Sequence, residues 1–297
     1  MDDKEKLKRF AAERAEQLKA GIRMQADTGK EVRSLLVKTQ KEIAQILSGA
    51  PSDYKRWQLG ELQRAVEQAL AEFNAGGNAT LQSGLSGSWQ QGQLLIDAPL
   101  KAASLDISAD LIAIDNRRLL AMRRFTTETI ADVTAKLANS INSELARAAI
   151  GIQSPFEAAQ AIAGKLQTGG LDRAGTIVRH QLGTAFSTAA QERQEQAVTI
   201  LPGLKKQWRR SGKTHSRIEH DLIDGQIRDV DKPFELPNGI KLMHPRDPSA
   251  PIGETIHCGC TSVPWMESWE VKTPGRLAFT KAETDANKAK RLIADAF

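Results

Sequence analysis

A mainly α protein, with a long helical N-terminal region and a small α+β C-terminal domain, is predicted from three observations. Apolar residues recur at three- and four-residue steps between charges over most of the first 200 residues. Aromatic residues are only 5% of the 297, with a single Tyr, a composition that disfavours a β-sandwich. Past Gly203 the texture changes to short strand-like runs, Pro residues and tight-turn dipeptides. The chain is 40% apolar, enough to bury a core, and its length fits about two domains of roughly 150 residues.

Residues 1–72 form the helical N-terminal region. LKRFAAERAEQLKAGIRM and EVRSLLVKTQKEIAQIL each carry an apolar stripe, the second through Leu35, Leu36, Ile43, Ile46 and Leu47. Asp27-Thr28-Gly29-Lys30 is read as a break between them. Ser52 or Asp53 caps a third helix with Trp57, Leu62, Val66 and Leu70 on its apolar side. Residues 73–104 are read as a Gly-rich connector. The stretch 73–96 holds five Gly and no charge, and each Gly inside a helix costs about 1 kcal/mol against Ala. A flexible linker, or an arm that orders on a neighbouring subunit, follows from that reading.

Residues 105–200 form a second helical domain. Helix resumes near Asp106, with Leu111, Ile114, Leu119, Leu120 and Met122, and a turn is expected near Thr126-Thr127. Ile130, Val133, Leu137, Ile141 and Leu145 then mark an amphipathic helix. Ser154-Pro155-Phe156-Glu157 is a capping box with Pro at the first helical position, and Gly169-Gly170 ends the helix it starts. A further helix runs from about Asp172 to Val198 and breaks at Pro202-Gly203. Residues 201–270 form the small α+β piece, with turns at Asp224-Gly225 and Asn238-Gly239. Residues 271–297 end in a charged terminal helix.

Several function classes are excluded at this level. The N-terminus MDDKEKLKRF has no apolar core of a secretory signal, and no run of about 18 apolar residues exists, so no membrane contact is expected. Two Cys do not build a disulfide scaffold and fit a reducing compartment. G-x-S-x-G, Walker, H-E-x-x-H and dinucleotide motifs are all missing, so an enzyme is not expected. His220 and Asp224, four apart with His215 nearby, form a pair able to orient a base, but no nucleophile motif accompanies them.

Chemistry-bearing residues concentrate in one window. All five His (180, 215, 220, 244 and 257) and both Cys (258 and 260) lie between residues 180 and 260. Imidazole and thiolate are the usual zinc ligands, and His220, His244, Cys258 and Cys260 can supply the four of a closed structural Zn2+ site. A small, loop-rich domain gains most from such a staple. The C-x-C spacing differs from the usual C-x₂₋₄-C, which leaves two reduced thiols as the competing reading. The second feature is LPGLKKQWRRSGKTHSR, residues 201–217, with six cations and no acid. Lys205, Lys206, Trp208, Arg209, Arg210, Lys213 and Arg217 are candidate DNA contacts, the cations through phosphates and Trp208 by stacking. Trp208 can equally anchor the strand in a core, and the cations can equally dock on an acidic protein or stay solvated.

The order of residues in the C-terminal half then becomes informative. It runs Arg179, Trp208, Arg217-x-x-His220-x-x-x-Asp224-Gly225-Gln226, Phe234, His244-Pro245-x-Asp247-Pro248, Ile256-His257-Cys258-Gly259-Cys260-Thr261-x-Val263-Pro264. Over about residues 105–266 this resembles the phage head morphogenesis family, the Mu F-like (gp7-like) minor head proteins. The chain departs from that pattern at Gln181 and Ser187, and at Lys213-Thr214, where many members are acidic. The resemblance implies a minor capsid component of a tailed phage or prophage, associated with the portal in head assembly and supporting DNA packaging or delivery. Its implied partners are the portal protein, the capsid or scaffold protein and phage DNA by phosphate contact. Its implied location is the virion head, after assembly in the host cytoplasm. The competing reading is a metal-dependent hydrolase or nuclease acting on the phage genome, using the His/Cys cluster as an open site.

Overall fold

The computed structural model describes residues 1–49, 56–105, 116–168, 170–266 and 276–295. Helix dominates. In chain order come α1 (Asp3–Ser48), α2 (Arg56–Ala102), α3 (Arg117–Ala149), α4 (Pro155–Thr168) and α5 (Gly170–Ile200). A small α+β piece follows: β1 (Leu204–Arg209), α6 (Ile218–Leu222), β2 (Ile227–Asp229), β3 (Phe234–Glu235), β4 (Lys241–Leu242), α7 (Ile252–Thr255) and β5 (Thr261–Met266). Two short helices, α8 (Lys281–Ala286) and α9 (Lys288–Asp295), come last. No helix among the described residues is long and apolar enough to cross a membrane.

The chain divides into two compact units. One comprises Ala26–Leu85 and Arg117–Gln181; the other comprises Met1–Gln25, Ser86–Asn116 and Leu182–Phe297. The first is wholly helical among its described residues. Its core takes Ile43 and Leu47 from α1, Val66, Ala69 and Leu70 from α2, Ile141 and Leu145 from α3, and Ile162 and Leu166 from α4. Each set repeats at the three- and four-residue spacing that puts side chains on one helix face. The capping box of α4 is formed. Glu157 N donates to Ser154 Oγ at 3.2 Å, and Ser154 N donates to Glu157 Oε2 at 2.7 Å. Ser154→Ala removes that cap and is expected to cost about 1 kcal/mol, read as roughly fivefold faster amide hydrogen exchange in the first turn of α4.

The second unit carries the α+β piece. Phe10, Leu95, Ile96, Leu100, Phe186 and Ala190 pack with Leu204 of β1, Val230 and Met266 of β5. β1 is the centre of a three-stranded antiparallel sheet of order β2-β1-β5, and β3 pairs β4 in a hairpin. Gly225 (φ +84°) and Gly239 (φ +82°) occupy the left-handed region at the two expected turns, which an L side chain adopts only with strain. Pro264 lies on β5, an edge strand, where a missing N–H disrupts no ladder.

Four local expectations are corrected. Asp27–Lys30 does not break α1: one Gly is tolerated in a long helix, Thr28 is buried and Lys30 pairs with Asp27 at 3.1 Å. Residues 73–96 are no connector but lie inside α2. At Gly92 a larger residue would not fit: a Cβ there would lie 2.3 Å from Phe186 O and 2.8 Å from Ala189 Cβ of α5. Thr126-Thr127 do not turn the chain, since Thr126 Oγ1 donates back to Met122 O within α3 at 2.7 Å. The charged terminal helix is two helices. Asn287 is extended (φ −133°, ψ 104°), and its Oδ1 accepts the Ala289 amide at 3.1 Å. Ser52, Asp53, Asp106, Leu111 and Ile114, like the side chain of Trp57, fall outside what the structure describes.

Candidate metal centre

β1 organises the site. Leu204, Lys206 and Trp208 alternate onto one face of the strand. Leu204 joins the core shared with the helices, and Trp208 joins a second core with Ile223, Phe234, Leu236, Leu242, Cys258 and Cys260. Trp208 is 0% exposed, its ring meeting His220 and Phe234 edge-on at 5.4 and 5.2 Å. Its Nε1 donates to His220 O at 3.1 Å, satisfying the one polar atom of the indole. Trp208 thereby sets α6 against the strand.

His220, Cys258 and Cys260 form a buried group whose donor atoms all lie within 4.8 Å of one another. His220 Nδ1 stands 3.6 Å from Cys258 Sγ and 3.8 Å from Cys260 Sγ. A tetrahedral ion with the usual zinc bond lengths sets imidazole N and thiolate S about 3.6 Å apart, so the donors are spaced as such an ion requires. Both Cys are free thiols. The Gly between them is needed for space: a Cβ on Gly259 would lie 2.8 Å from Ser211 Cβ and 2.9 Å from Lys213 Cε. His257, at φ +57°, turns the chain just before Cys258.

The surroundings favour charge on one of the two sulfurs. A hydrogen bond from Cys260, with His220 and Arg246 nearby, holds the Cys258 thiol well below its usual value, against burial. The same bond and burial push Cys260 well above it. For His220 burial pulls downward, but Cys258 and Glu254 outweigh it and the ring is raised. By the spacing and burial of its donors the group is compatible with a metal.

His244 does not belong to the group, which corrects the expected four-ligand set. Its Nδ1–H donates to Pro245 O at 3.0 Å, and burial pulls its pKa below the ordinary value. The expected His220–Asp224 pair is also corrected. Asp224 instead accepts the Arg210 and Leu277 amides at 2.9 and 2.6 Å, while His220 Nε2 lies 2.9 Å from Glu254 Oε2.

The basic strand is corrected in part. Lys206 is 0% exposed; its ammonium donates to Met243 O at 2.7 Å and Gln191 Oε1 at 3.1 Å, over the Phe234 ring. Burial brings its pKa down to about 8 although Glu195, Asp231 and Asp247 pull upward. Lys205 pairs across the ladder with Asp229 at 3.3 Å, and Arg209 faces Asp224 at 3.7 Å. Arg210 is ion-paired with Glu283 in the interior. Lys213 donates to His257 O at 3.0 Å and Arg217 to Ile256 O at 2.7 Å. Lys206 and Trp208, both 0% exposed, are thus sealed away from any DNA, whereas Lys213 remains exposed and Lys205 and Arg217 half-buried.

No family model, curated protein or solved structure matches this chain.

Two residues of the site had no sequence signal. Glu254 sits in a four-residue helix four positions before Cys258. Arg246 is the unspecified position of His244-Pro245-x-Asp247-Pro248. It adopts φ +63°, and its guanidinium reaches Cys258 O at 2.7 Å, Gly183 O at 3.1 Å and Ser187 Oγ at 3.2 Å. Gly183 leaves room for it: a Cβ there would lie 2.5 Å from Arg246 Nε.

Proposed function

We propose that the chain is a minor head protein of a tailed phage or prophage, associated with the portal during head assembly. One observation carries this reading. The residues on which the family resemblance rests, scattered over Trp208 to Cys260, interlock in one small buried module: Trp208 on His220 O, His220 against both thiols, and Phe234 against Trp208. That these residues pack into one module supports the resemblance, and with it the assembly role that the resemblance implies. The module carries one structural Zn2+ on His220, Cys258 and Cys260, as burial of all three donors favours. Its partners are the portal protein and the capsid or scaffold protein, in the host cytoplasm during assembly and later in the virion head. Phage DNA is a third partner, met through phosphates; the net charge of +5 permits this.

Affinity capture with the cognate portal protein, with and without nuclease, tests the reading. The portal is expected to co-purify equally in both. Loss on nuclease treatment, or no recovery in either arm, overturns portal association. A second reading, a metal-dependent hydrolase or nuclease, is favoured by one observation: three protein donors leave a fourth position for water. DNA cleavage by the zinc-loaded chain, abolished in Cys258→Ser, would establish that reading instead.

A further inference from the structure

We propose that Glu254 is the positioning residue of a mononuclear site for a borderline-soft divalent cation, Zn2+ foremost. It holds His220 so that Nδ1 faces the two cysteine sulfurs. The proposal rests on the metal reading above and adds to it the group that orients the imidazole.

The argument starts from the two ring nitrogens. A carboxylate only accepts hydrogen bonds, so His220 Nε2, at 2.9 Å from Glu254 Oε2, is the nitrogen that carries hydrogen. Nδ1 is then the one whose lone pair is open to an ion, and it is the one facing Cys258 and Cys260 at 3.6 and 3.8 Å. Metal-bound imidazoles commonly donate their other N–H to a carboxylate or carbonyl, which fixes the tautomer and raises the ring's basicity.

Glu254 is itself held. Asn238 Nδ2 donates to its Oε1 at 3.4 Å, and Arg217 Nε lies 3.9 Å from its Oε2. Arg217 also donates to Ile256 O at 2.7 Å, tying the start of α6 to the end of α7. The carboxylate is therefore fixed between the helix bearing His220 and the loop leading to Cys258. Its side chain is 16% exposed, so it acts in a largely dehydrated setting.

The test is metal binding by the full chain, reduced and stripped by chelator, using Co2+ absorption and competition with Zn2+. The wild type is expected to bind one ion per chain with thiolate-to-cobalt absorption and tetrahedral d–d bands. Glu254→Ala is expected to keep that stoichiometry, bind Zn2+ about 10- to 100-fold more weakly, and shift the d–d bands. Glu254→Gln, which keeps an acceptor but loses the charge, is expected to fall between the two. Asn238→Ala, which perturbs the other carboxylate oxygen, is expected to change affinity less than about threefold. Equal affinity in Glu254→Ala and wild type, with one ion bound in each, overturns the role of Glu254 and leaves the metal reading standing. No binding by the wild type at micromolar Co2+ or Zn2+ overturns the metal reading beneath it.

Discussion

Replacing Glu283 with alanine is expected to destabilise the α+β piece by about 3–5 kcal/mol, because two buried cations lose their counter-charge. Glu283 pairs with Arg210, and it accepts from Lys290 Nζ at 2.8 Å. Lys290 is fully buried and reaches Asp221 Oδ2 at 3.3 Å, and Asp221 in turn accepts from Ser216 Oγ at 2.6 Å. The Phe279 ring lies beneath Arg210 at 4.8 Å and Lys290 at 5.2 Å. Two positive and two negative side chains thus balance in the interior, and removing one acid leaves an uncompensated charge there. Glu283 also completes the capping box of α8 with Thr280, so Glu283→Gln separates the charge from much of the cap.

The opening of this piece can be read from its own thiols. Cys258 and Cys260 are the only Cys of the chain and both are buried. In chelator-treated protein, Glu283→Ala is expected to raise their modification rate by roughly a hundredfold or more. An unchanged rate would show that the ion network contributes nothing. The pH dependence follows the same group. Burial opposes the charge, but Arg210, Lys290 and Thr280 outweigh it and hold the Glu283 carboxyl at about 2, below its ordinary 4.5. A depressed acid stabilises fully above its unfolded value, so this contribution is present above about pH 4.5 and is lost as pH falls towards about 2.

Gly92→Ala is expected to destabilise the unit built on Phe10, Leu95 and Phe186 by about 2–3 kcal/mol, although alanine is the better helix former by about 1 kcal/mol. The added methyl would meet Phe186 O at 2.3 Å, Ala189 Cβ at 2.8 Å and Ala190 N at 3.1 Å. These are backbone or near-backbone atoms of α5 and cannot swing aside, so the helices must separate. Gly164→Ala on α4 is the control: nothing lies within 4 Å of the added Cβ, and stability is expected to rise by up to about 1 kcal/mol. Chemical unfolding followed by circular dichroism compares the two. A stabilised Gly92→Ala would mean that α2 and α5 do not approach closely there.

Periodicity made most of the helical architecture readable before any coordinates. The stripe Ile130, Val133, Leu137, Ile141 and Leu145 lies within α3, and Ser154 to Glu157 start α4 as their spacing implies. The turns at Asp224-Gly225 and Asn238-Gly239 were equally legible, since a left-handed backbone selects Gly. So was the gathering of Cys and His, of which His220, Cys258 and Cys260 converge and His244 does not. What misled was composition taken without pattern. Between residues 73 and 96 the glycines suggest a linker, yet Phe73, Leu81, Leu85, Trp89 and Ile96 follow helical steps and are buried.

Residue order alone therefore carries what depends on a few neighbouring positions: helical faces, caps, turns and the supply of soft donors. Whether the Gly-rich run stays helical was decided in space, because the local penalty of Gly92 is set against a close approach by α5, a segment about a hundred residues away in sequence. The fate of the basic strand was decided the same way. Lys206 and Arg210 are as cationic as any surface residue in sequence, and only the arrival of Met243 O, Gln191 and Glu283 from distant segments makes their burial tolerable. The choice of Glu254 over Asp224 as the partner of His220 is likewise a tertiary event, since α7 is brought to α6 by contacts that no local spacing encodes.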